Sequence, residues 1–506
     1  MGQTGKRGNG KAGKRAVFCF LLLSALALSP FPPFPLCRLA CGAAVARDYP
    51  PEVPPPKPYI VLPPTVRTLE NGLKVVLVER HSLPLITAYL VVKAGAEADP
   101  ASLPGTAQFV ASLLDQGTQE RSALQIAEAI DDVGGTIDTG ADWDKSFASV
   151  SVLTDHSELA FDLLSDMVMR PAFARAEVER TRKRTLSALE VLRNDPSYLA
   201  DAVFERLVFA GTPYSHPADG TEEALRRLTV ENLQAFHSLH YQPSRAILVV
   251  VGDATEEQVR DLAGKYFGSW KAIPGKGREI DPEIAPQHER EVVIIDKSDA
   301  VQTEIRVGNL AVGRESSDYD ALAAANQILG GPATNRLFSA LRSEHGLTYG
   351  ASSELLAYRR LGGWVAKTST RTSETLKAVH MIMEQRNKLR DHAPPSLEVE
   401  NTQSYLIGHM ALDFETPDGI AEQTVELMAH DLPLDYWSRF PEKVQSLTEQ
   451  QLWDVARRYL DPESAVIVLV GNASAFKKGL KKLGHTRVIP VDKLDLASAD
   501  LVDHRP

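Results

Sequence analysis

Cysteine is almost absent from this chain. Three of its 506 residues are cysteines, Cys19, Cys37 and Cys41, and all three precede residue 47. A mature chain that begins at residue 47 has no thiol, so its fold needs no disulfide in an oxidising compartment.

Long apolar runs are limited as well. The N-terminal run from Ala16 to Leu28 has 13 residues, which is too short to span a bilayer comfortably. The basic residues that precede it are Lys6, Arg7, Lys11, Lys14 and Arg15. This layout is typical of a secretory signal. We expect residues 1–46 to be a signal peptide that is cleaved after Ala44-Val45-Ala46, and the protein to be exported, either periplasmic or secreted.

Three alternatives stay open at this terminus. Cleavage after Ala25-Leu26-Ala27 is one of them, because the same small-x-small pattern occurs there. Lipoprotein processing at Cys41 is the second, although Arg38 stands where a lipobox has an aliphatic residue. An uncleaved N-terminal anchor is the third, and it is the one membrane contact that the sequence suggests.

Positive charge is in deficit. The chain has 55 basic and 66 acidic residues and a net charge of −11. Residues 1–46 hold six of the basic residues and none of the acidic ones, so the mature chain has 49 basic residues against 66 acidic ones, a net charge of −17. A nucleic-acid binder needs a basic face, so this charge argues against a nucleic-acid partner.

Two proline-rich stretches divide the chain. Residues 47–64 (RDYPPEVPPPKPYIVLPP) indicate an extended lead-in. The composition also breaks at residues 273–289, which we interpret as a linker between two domains, residues 65–272 and 290–491. Residues 492–506 are then a C-terminal tail.

The two halves repeat one pattern. Seven positions match without a gap at an offset of 219 residues: Leu228, Thr229, Leu233, Pro243, Ala246, Val249 and Gly252 in the first half, and Leu447, Thr448, Leu452, Pro462, Ala465, Val468 and Gly471 in the second. Each copy predicts a helix, a turn marked by proline, and a buried strand, over residues 246–253 and 465–472. We interpret the repeat as an internal duplication.

Strands precede helices within each half. The patterns predict strands over 73–79, 86–94, 291–296 and 302–307, and helices over 123–133, 176–193 and 319–329. Strands that cluster in hairpins with helices gathered elsewhere indicate an α+β fold. We therefore predict two homologous α+β domains, each a mostly antiparallel sheet with helices packed on one side.

Histidine pairs of the kind that bind catalytic zinc are missing. None of the 13 histidines lies in an H-x-x-E-H or H-E-x-x-H arrangement. Residues 105–118 (GTAQFVASLLDQGT) nevertheless resemble the zinc helix of the insulinase/pitrilysin family of inverted zincins, whose pattern is G-x-A-H-F-x-E-H-x-x-x-x-G-T. The positions of its two histidines and its glutamate hold Gln108, Ser112 and Ala111. Alanine cannot take a proton from water, and glutamine and serine are poor zinc ligands beside imidazole.

The resemblance covers nearly the whole mature chain. The matching motifs include Val133-Gly134-Gly135, Asn194-Asp195-Pro196, Gly211-Thr212-Pro213-Tyr214, Gly220-Thr221-Glu222-Glu223, Leu329-Gly330-Gly331 and Arg336-Leu337-Phe338. Their order and spacing together identify the family. The resemblance implies two related domains that face each other like a clam shell around a peptide-binding chamber.

The family's third zinc ligand corresponds to Glu190, 78 residues after Ser112. One carboxylate cannot replace a site of two histidines and a glutamate, because transition metals need several converging ligands. We therefore expect no cofactor in this chain and interpret Glu190 as an ordinary helix residue kept by ancestry or paired with a basic neighbour.

Two other family residues are retained. The resemblance implies that Arg342 and Tyr349, seven residues apart, hydrogen-bond the substrate carbonyl and steady the oxyanion beside zinc. Alternatively, Arg342 pairs at a helix end and Tyr349 packs as a strand aromatic. Some bacterial members of the family are two-subunit enzymes, in which one chain carries zinc and the other carries this pair, and the present sequence resembles the second kind.

Two further segments carry less information. The strand expected to pair with bound peptide reads Thr136-Ile137-Asp138-Thr139, with a carboxylate where the family has a neutral Asn. Peptide docking on this chain's own first domain is therefore an open question. His237 and His240 are spaced for a metal pair but have no third ligand, so we interpret them as ordinary helix histidines.

The leading hypothesis is a zinc-less subunit of an insulinase-type peptidase. It pairs with a zinc-bearing homologue, which holds the zinc, and contributes Arg342 and Tyr349 in trans to hydrolysis of a peptide substrate. The alternative is a pseudopeptidase that binds peptides or scaffolds a complex without proteolysis. An active lone peptidase is a third hypothesis, and it requires a base at Ala111.

Overall fold

The structure is a computed structural model that describes residue 61 and residues 63–271, 289–332, 335–480 and 483–504. They belong to one compact unit, Pro56–Pro506. The expected signal peptide, most of the lead-in and all but one residue of the expected linker lie outside the described residues. Within the described ranges, no helix combines the length and apolar character needed to cross a membrane.

Each half contributes six strands and eight α-helices to the part of the chain that the structure describes. The first half contains β1 (Thr65–Thr68), β2 (Lys74–Glu79), β3 (Leu85–Val92), α1 (Thr106–Ala111), α2 (Ala123–Asp131), β4 (Thr136–Ala141), β5 (Ser146–Leu153), α3 (Ser157–Met169), α4 (Arg175–Leu192), α5 (Pro196–Val208), α6 (Glu222–Arg227), α7 (Val230–His240), β6 (Ala246–Gly252) and α8 (Glu256–Phe267). The second half contains β7 (Glu291–Asp296), β8 (Gln302–Val312), α9 (Tyr319–Gly330), α10 (Arg336–Phe338), β9 (Ala351–Ala357), β10 (Leu361–Arg371), α11 (Thr375–Asp391), α12 (Ser396–Asp413), α13 (Pro417–Ala429), α14 (Tyr436–Gln445), α15 (Glu449–Tyr459), β11 (Val466–Gly471), α16 (Lys477–Leu480) and β12 (His485–Pro490).

The two halves form separate six-stranded sheets. The strand orders are β1-β2-β6-β3-β5-β4 and β12-β7-β11-β8-β10-β9. The β2–β6, β7–β11 and β7–β12 pairs are parallel, and the remaining neighbours are antiparallel. The predicted α+β class with two mostly antiparallel sheets is confirmed.

The sequence repeat is a structural repeat. The repeated apolar strands are β6 and β11, and every residue of both is buried. The repeated Leu-Thr dipeptide starts a helix in each half: Thr229 and Thr448 cap α7 and α15, and each forms a reciprocal capping box with the residue three positions on. The matching positions therefore mark one helix start and one core strand in each half.

Each sheet is covered on a second face by a helix of the other half. Helix α5 packs against β8 and β11 of the second sheet, and α13 packs against β3 and β6 of the first. Phe204 of α5 lies in a core cluster with strand residues of the second half, and Val425 of α13 lies with strand residues of the first. Burying each large apolar side chain in these clusters contributes about 1.5–3 kcal/mol.

We call α5 and α13 the exchanged helices, because each covers the sheet of the other half. Gly308 makes room for α5. A Cβ on Gly308 of β8 would overlap the main-chain carbonyl oxygen of Trp364 and lie 2.6 Å from the Phe204 ring. The side chain of Phe204 can therefore reach the sheet only where β8 has no side chain. Arg306, two residues earlier, donates to both carboxylate oxygens of Asp201 in α5, at 2.7 and 3.0 Å.

The C-terminal residues extend the fold beyond the predicted sequence boundaries. Strand β12 adds to the second sheet, parallel to β7. Leu496 and Leu501, placed in a tail by the sequence, are buried in the same cluster as Phe204. Predicted strand and helix boundaries agree with the structure to within two residues, except that β8 continues five residues past the expected end at Val307.

Candidate functional site

Helix α1 holds the positions that correspond to the zinc helix. Its N-cap is Gly105, whose φ of +89° is in the left-handed region that favours glycine. The carboxylate of Asp99 accepts the main-chain N–H groups of Gly105 and Ala107, at 2.5 and 2.7 Å. Burial raises the pKa of Asp99 to about 8, even though these bonds act in the opposite direction. The start of α1 is therefore fixed by a buried carboxyl group.

The three zinc-helix positions make local contacts. Gln108 accepts the main-chain N–H of Ala141 with its Oε1, at 2.8 Å. Ala111 is fully buried. Ser112 donates its hydroxyl to the carbonyl oxygen of Phe109 in its own helix, at 2.9 Å. None of these groups is a good zinc ligand or a general base, so the residues present do not fit a catalytic zinc.

Glu190 lies on the exposed face of α4. Its main-chain carbonyl accepts the Asn194 side chain at 2.9 Å, and its carboxylate has no hydrogen bond or ion pair within the described ranges. It lines a narrow crevice with Thr221 and Asp495. Across the described residues, no group of three or more His, Cys, Asp or Glu side chains is arranged to hold a metal ion.

The structure brings Arg342 and Tyr349 together. The Arg342 guanidinium carbon lies 4.7 Å from the centroid of the Tyr349 ring and 4.9 Å from that of Phe338. The cation therefore contacts two aromatic rings, an arrangement that restrains a long side chain through cation–π attraction. Sequence reasoning gave Phe338 no part in this site, although its spacing of four residues from Arg342 on a helix predicts contact.

Hydrogen bonds to the buried residue Leu347 anchor the segment that carries Arg342 and Tyr349. Arg342 lies in a π-helical turn, Ser339–Glu344, which continues α10. After it, buried Leu347 donates its N–H to the Leu341 carbonyl at 2.8 Å, and its own carbonyl accepts the Thr370 hydroxyl at 2.7 Å. The Tyr349 side chain is 86% exposed. Within the described part of the chain, neither Arg342 nor Tyr349 has an ion pair or hydrogen-bonded side-chain partner.

Strand β4 forms one edge of the first sheet. It pairs with β5, and Asp138 on it is exposed. A groove of about 720 Å³ runs between the start of β4 and α2, and its walls include Leu124, Ala127 and Ile137. The strand edge predicted to meet peptide is therefore accessible at its N-terminal end.

A buried polar network joins the two halves, and the sequence gave no sign of it. Lys145 donates to Glu426 of α13 at 2.7 Å, and Glu426 lies 3.2 Å from Nδ1 of His430. Asp144 accepts the hydroxyl of Tyr214 at 2.7 Å. Burial alone would lower the pKa of His430, but its contacts with Asp144 and Glu426 raise it to about 9. Burial acts to raise the pKa of Glu426, but His430 and Lys145 lower it to about 2.

The histidine pair on α7 is structural, as the sequence suggested. His237 hydrogen-bonds the Val168 carbonyl at 2.8 Å, and His240 packs on Phe236. Burial lowers the pKa of each to about 4. Both imidazoles are therefore neutral at neutral pH and belong to the core.

Two family profiles match the chain. One is described as "Insulinase (Peptidase family M16)" and matches residues 74–221. The other is described as "Peptidase M16 inactive domain" and matches residues 227–406. Together they cover more than half of the 506-residue sequence.

Bacterial relatives of similar sequence are named as zinc proteases. The "Uncharacterized zinc protease YmxG" of Bacillus subtilis is 24% identical over 351 residues, covering 69% of this chain and 84% of that protein. The "Uncharacterized zinc protease ML0855" of Mycobacterium leprae is 30% identical over 291 residues, covering 57% of this chain and 65% of that protein.

Solved structures share the fold. A peptidase M16 inactive domain from Pseudomonas fluorescens superposes with a TM-score of 0.76 at 25% identity, covering 81% of this chain and 98% of that one. The first half of the periplasmic protease PqqL from Escherichia coli superposes with a TM-score of 0.67 at 16% identity, covering 83% and 95%. The second likeness concerns the fold alone.

Proposed function

Because the chain belongs to the insulinase family of peptidases, M16, we propose that it is a zinc-less subunit that acts with a zinc-bearing homologue. It contributes Arg342 and Tyr349 in trans to hydrolysis of a peptide substrate. The observation that carries this proposal is the contact between these two exposed side chains, 4.7 Å from guanidinium carbon to ring centroid, in a chain whose zinc-helix positions hold no ligand.

The chemistry of the pair suits a developing oxyanion. A guanidinium and a phenol are both hydrogen-bond donors. Aimed at the carbonyl oxygen of a scissile peptide bond, they stabilise the negative charge that accumulates there in the transition state. The ring of Phe338 restrains Arg342, so less conformational entropy is lost when the guanidinium binds substrate.

At its zinc-helix positions, this chain lacks the general base and the zinc ligands that hydrolysis requires. Ala111 cannot accept a proton, and Gln108 and Ser112 are engaged with Ala141 and Phe109. The base and the metal must therefore come from the partner subunit. No step of hydrolysis is assigned to this chain beyond binding and orienting the peptide carbonyl and stabilising its oxyanion.

A second candidate is a pseudopeptidase that binds or scaffolds peptides without cleavage. The accessible edge of β4 and its neighbouring groove favour it, because an extended peptide can add to a free strand edge through main-chain hydrogen bonds. Under either function the chain is an exported protein of the periplasm or the exterior, a proposal supported by the sequence of residues 1–46.

Co-purification from the native organism, followed by a peptide-cleavage assay, separates the candidates. The trans-subunit proposal expects a zinc-bearing homologue to co-purify, and expects cleavage by the complex but not by this chain alone. The matched samples are this chain, the homologue and the complex at equal concentration. Recovery of the chain with peptides but without any peptidase would favour the pseudopeptidase.

A further inference from the structure

The outward edge of β4 can be assigned residue by residue. Asp142, just after β4, donates its N–H to Lys145 in the turn toward β5 at 2.8 Å, whereas Ala141 donates away from β5, to Gln108. Alternate residues of a strand direct their main-chain groups to opposite sides. Ile137, Thr139 and Ala141 therefore share the outward side.

These three residues are not equivalent as docking points. The Ala141 N–H is occupied by the Gln108 side chain at 2.8 Å. In the described structure, the outward N–H groups of Ile137 and Thr139 have no such partner. The edge is thus open along its first part and closed where β4 meets α1.

The open part of the edge adjoins the groove. Ile137 lines it together with Leu124 and Ala127 of α2, and Leu124 is 66% exposed. A peptide strand paired with Ile137 and Thr139 would place alternate side chains beside this apolar wall.

We propose that Gln108, by accepting the Ala141 N–H, closes one end of the β4 edge and so sets the register of a peptide strand that pairs with β4. An extended peptide pairs with Ile137 and Thr139, next to the groove, and gains no hydrogen bond from Ala141. The position of a lost zinc ligand thus acts as a specificity-determining residue. This inference rests on the second candidate function, the binding of an extended peptide at the β4 edge.

The closed end matters because the register between a peptide strand and β4 is otherwise easily shifted. A slip by one residue turns every peptide side chain to the opposite face, and a free strand edge does little to prevent it. When the Ala141 N–H is already bonded to Gln108, a peptide cannot adopt a register that needs a hydrogen bond from Ala141.

The test compares three variants of the full chain. Gln108→Ala removes the acceptor, Gln108→Glu keeps one, and Ser112→Ala is the matched control, since its hydroxyl bonds only within its helix. Amide hydrogen exchange at Ala141 reports the bond itself. The affinity of the chain for a short fluorescein-labelled peptide of Val, Thr and Lys measures docking. A spin label at one end of the peptide broadens the NMR resonances of the β4 residues nearest to it, and so reports the register.

We expect Gln108→Ala to speed exchange at Ala141, to tighten peptide binding by about 2- to 10-fold, the value of one hydrogen bond, and to shift broadening toward Ala141. Gln108→Glu and Ser112→Ala should behave like the parent chain. Unchanged exchange at Ala141 would overturn the proposal, as would peptide binding with unaltered affinity and register in Gln108→Ala, or no peptide binding by any variant. Peptide turnover by the two-subunit complex could still depend on Tyr349 in that case. The proposal for Gln108 and the proposed function can therefore fail independently.

Discussion

Single residues show how the zinc-helix positions have been put to other uses. Gln108 is bonded to a neighbouring strand, Ala111 fills the core, and Ser112 is bonded within its helix. The Oε1 of Gln108 and the hydroxyl of Ser112 each have a hydrogen-bond partner nearby, so neither of these two groups needs a metal to compensate for its burial.

Metal analysis checks this at the residue scale. The mature chain, purified without chelator, should contain no stoichiometric zinc and cleave no peptide, because positions 108, 111 and 112 offer neither ligands nor base. The triple variant Gln108→His, Ala111→Glu, Ser112→His is the comparison for zinc uptake. Near one zinc per chain in the parent protein, with activity lost on chelation, would contradict the account.

At the scale of elements, the exchanged helices hold the halves together. Helices α5 and α13 each cover the sheet of the other half, and polar contacts accompany the apolar ones. Lys145 of the first half binds Glu426 of the second at 2.7 Å, and His430 of the second half lies 3.7 Å from Asp144 of the first. Breaking one member of a buried charged group leaves the others uncompensated, which costs several kcal/mol.

The buried histidine predicts how stability changes with pH. The pKa of His430 is raised from 6.5 to about 9, so its contribution is complete below pH 6.5 and is lost as pH rises through about 9. The loss is on the order of 3 kcal/mol. The measurement is the free energy of unfolding from pH 6 to 10, by denaturant titration.

The variant His430→Gln is the control for this dependence. Burial raises the pKa values of Glu97 and Asp99 to about 8, so both carboxyls titrate in the same range, and only the difference between the two proteins isolates His430. The variant should lose less stability than the parent between pH 6.5 and 10. Parallel curves would show that His430 does not carry a raised pKa.

The elements also show what the sequence can and cannot predict. Strands β6 and β11 were predictable because a buried central strand is a continuous apolar run. The extension of β8 was missed because Gly308 and Asn309 interrupt its apolar pattern. The exchange of α5 and α13 was not predictable, since an apolar helix face does not specify which sheet it covers. The bond from Ala141 to Gln108 joins residues 33 apart in sequence and depends on tertiary packing.

At the scale of the whole molecule, the chain is acidic overall, with a net charge of −11, and it is internally duplicated. The helix that corresponds to the zinc helix lies in the first half, and the Arg342–Tyr349 pair lies in the second. The pair was predicted from a family resemblance, and its contact is visible in the structure. Under the proposed function, both residues act on a substrate that is held together with a second, zinc-bearing chain.

Export is a prediction for the whole molecule. The protein recovered outside the cytoplasm should begin at Arg47, because a basic segment and a short apolar run precede a small-x-small site. N-terminal sequencing of the native protein is the measurement. A chain that starts at residue 1 and stays with the membrane fraction would show an anchor, and a lipid on Cys41 would show a lipoprotein.

The most direct test of the central claim is the turnover of a reconstituted complex of this chain and a zinc-bearing homologue, with Tyr349→Phe in this chain. The substitution removes one hydroxyl from an exposed ring, so folding and pairing should survive. Loss of one oxyanion donor should lower the rate by about 10²–10³, while Tyr405→Phe, on a tyrosine stacked against His409, should leave it unchanged. If the complex forms and Tyr349→Phe turns over peptide at the parent rate, Tyr349 takes no part in hydrolysis and the trans-subunit account is contradicted.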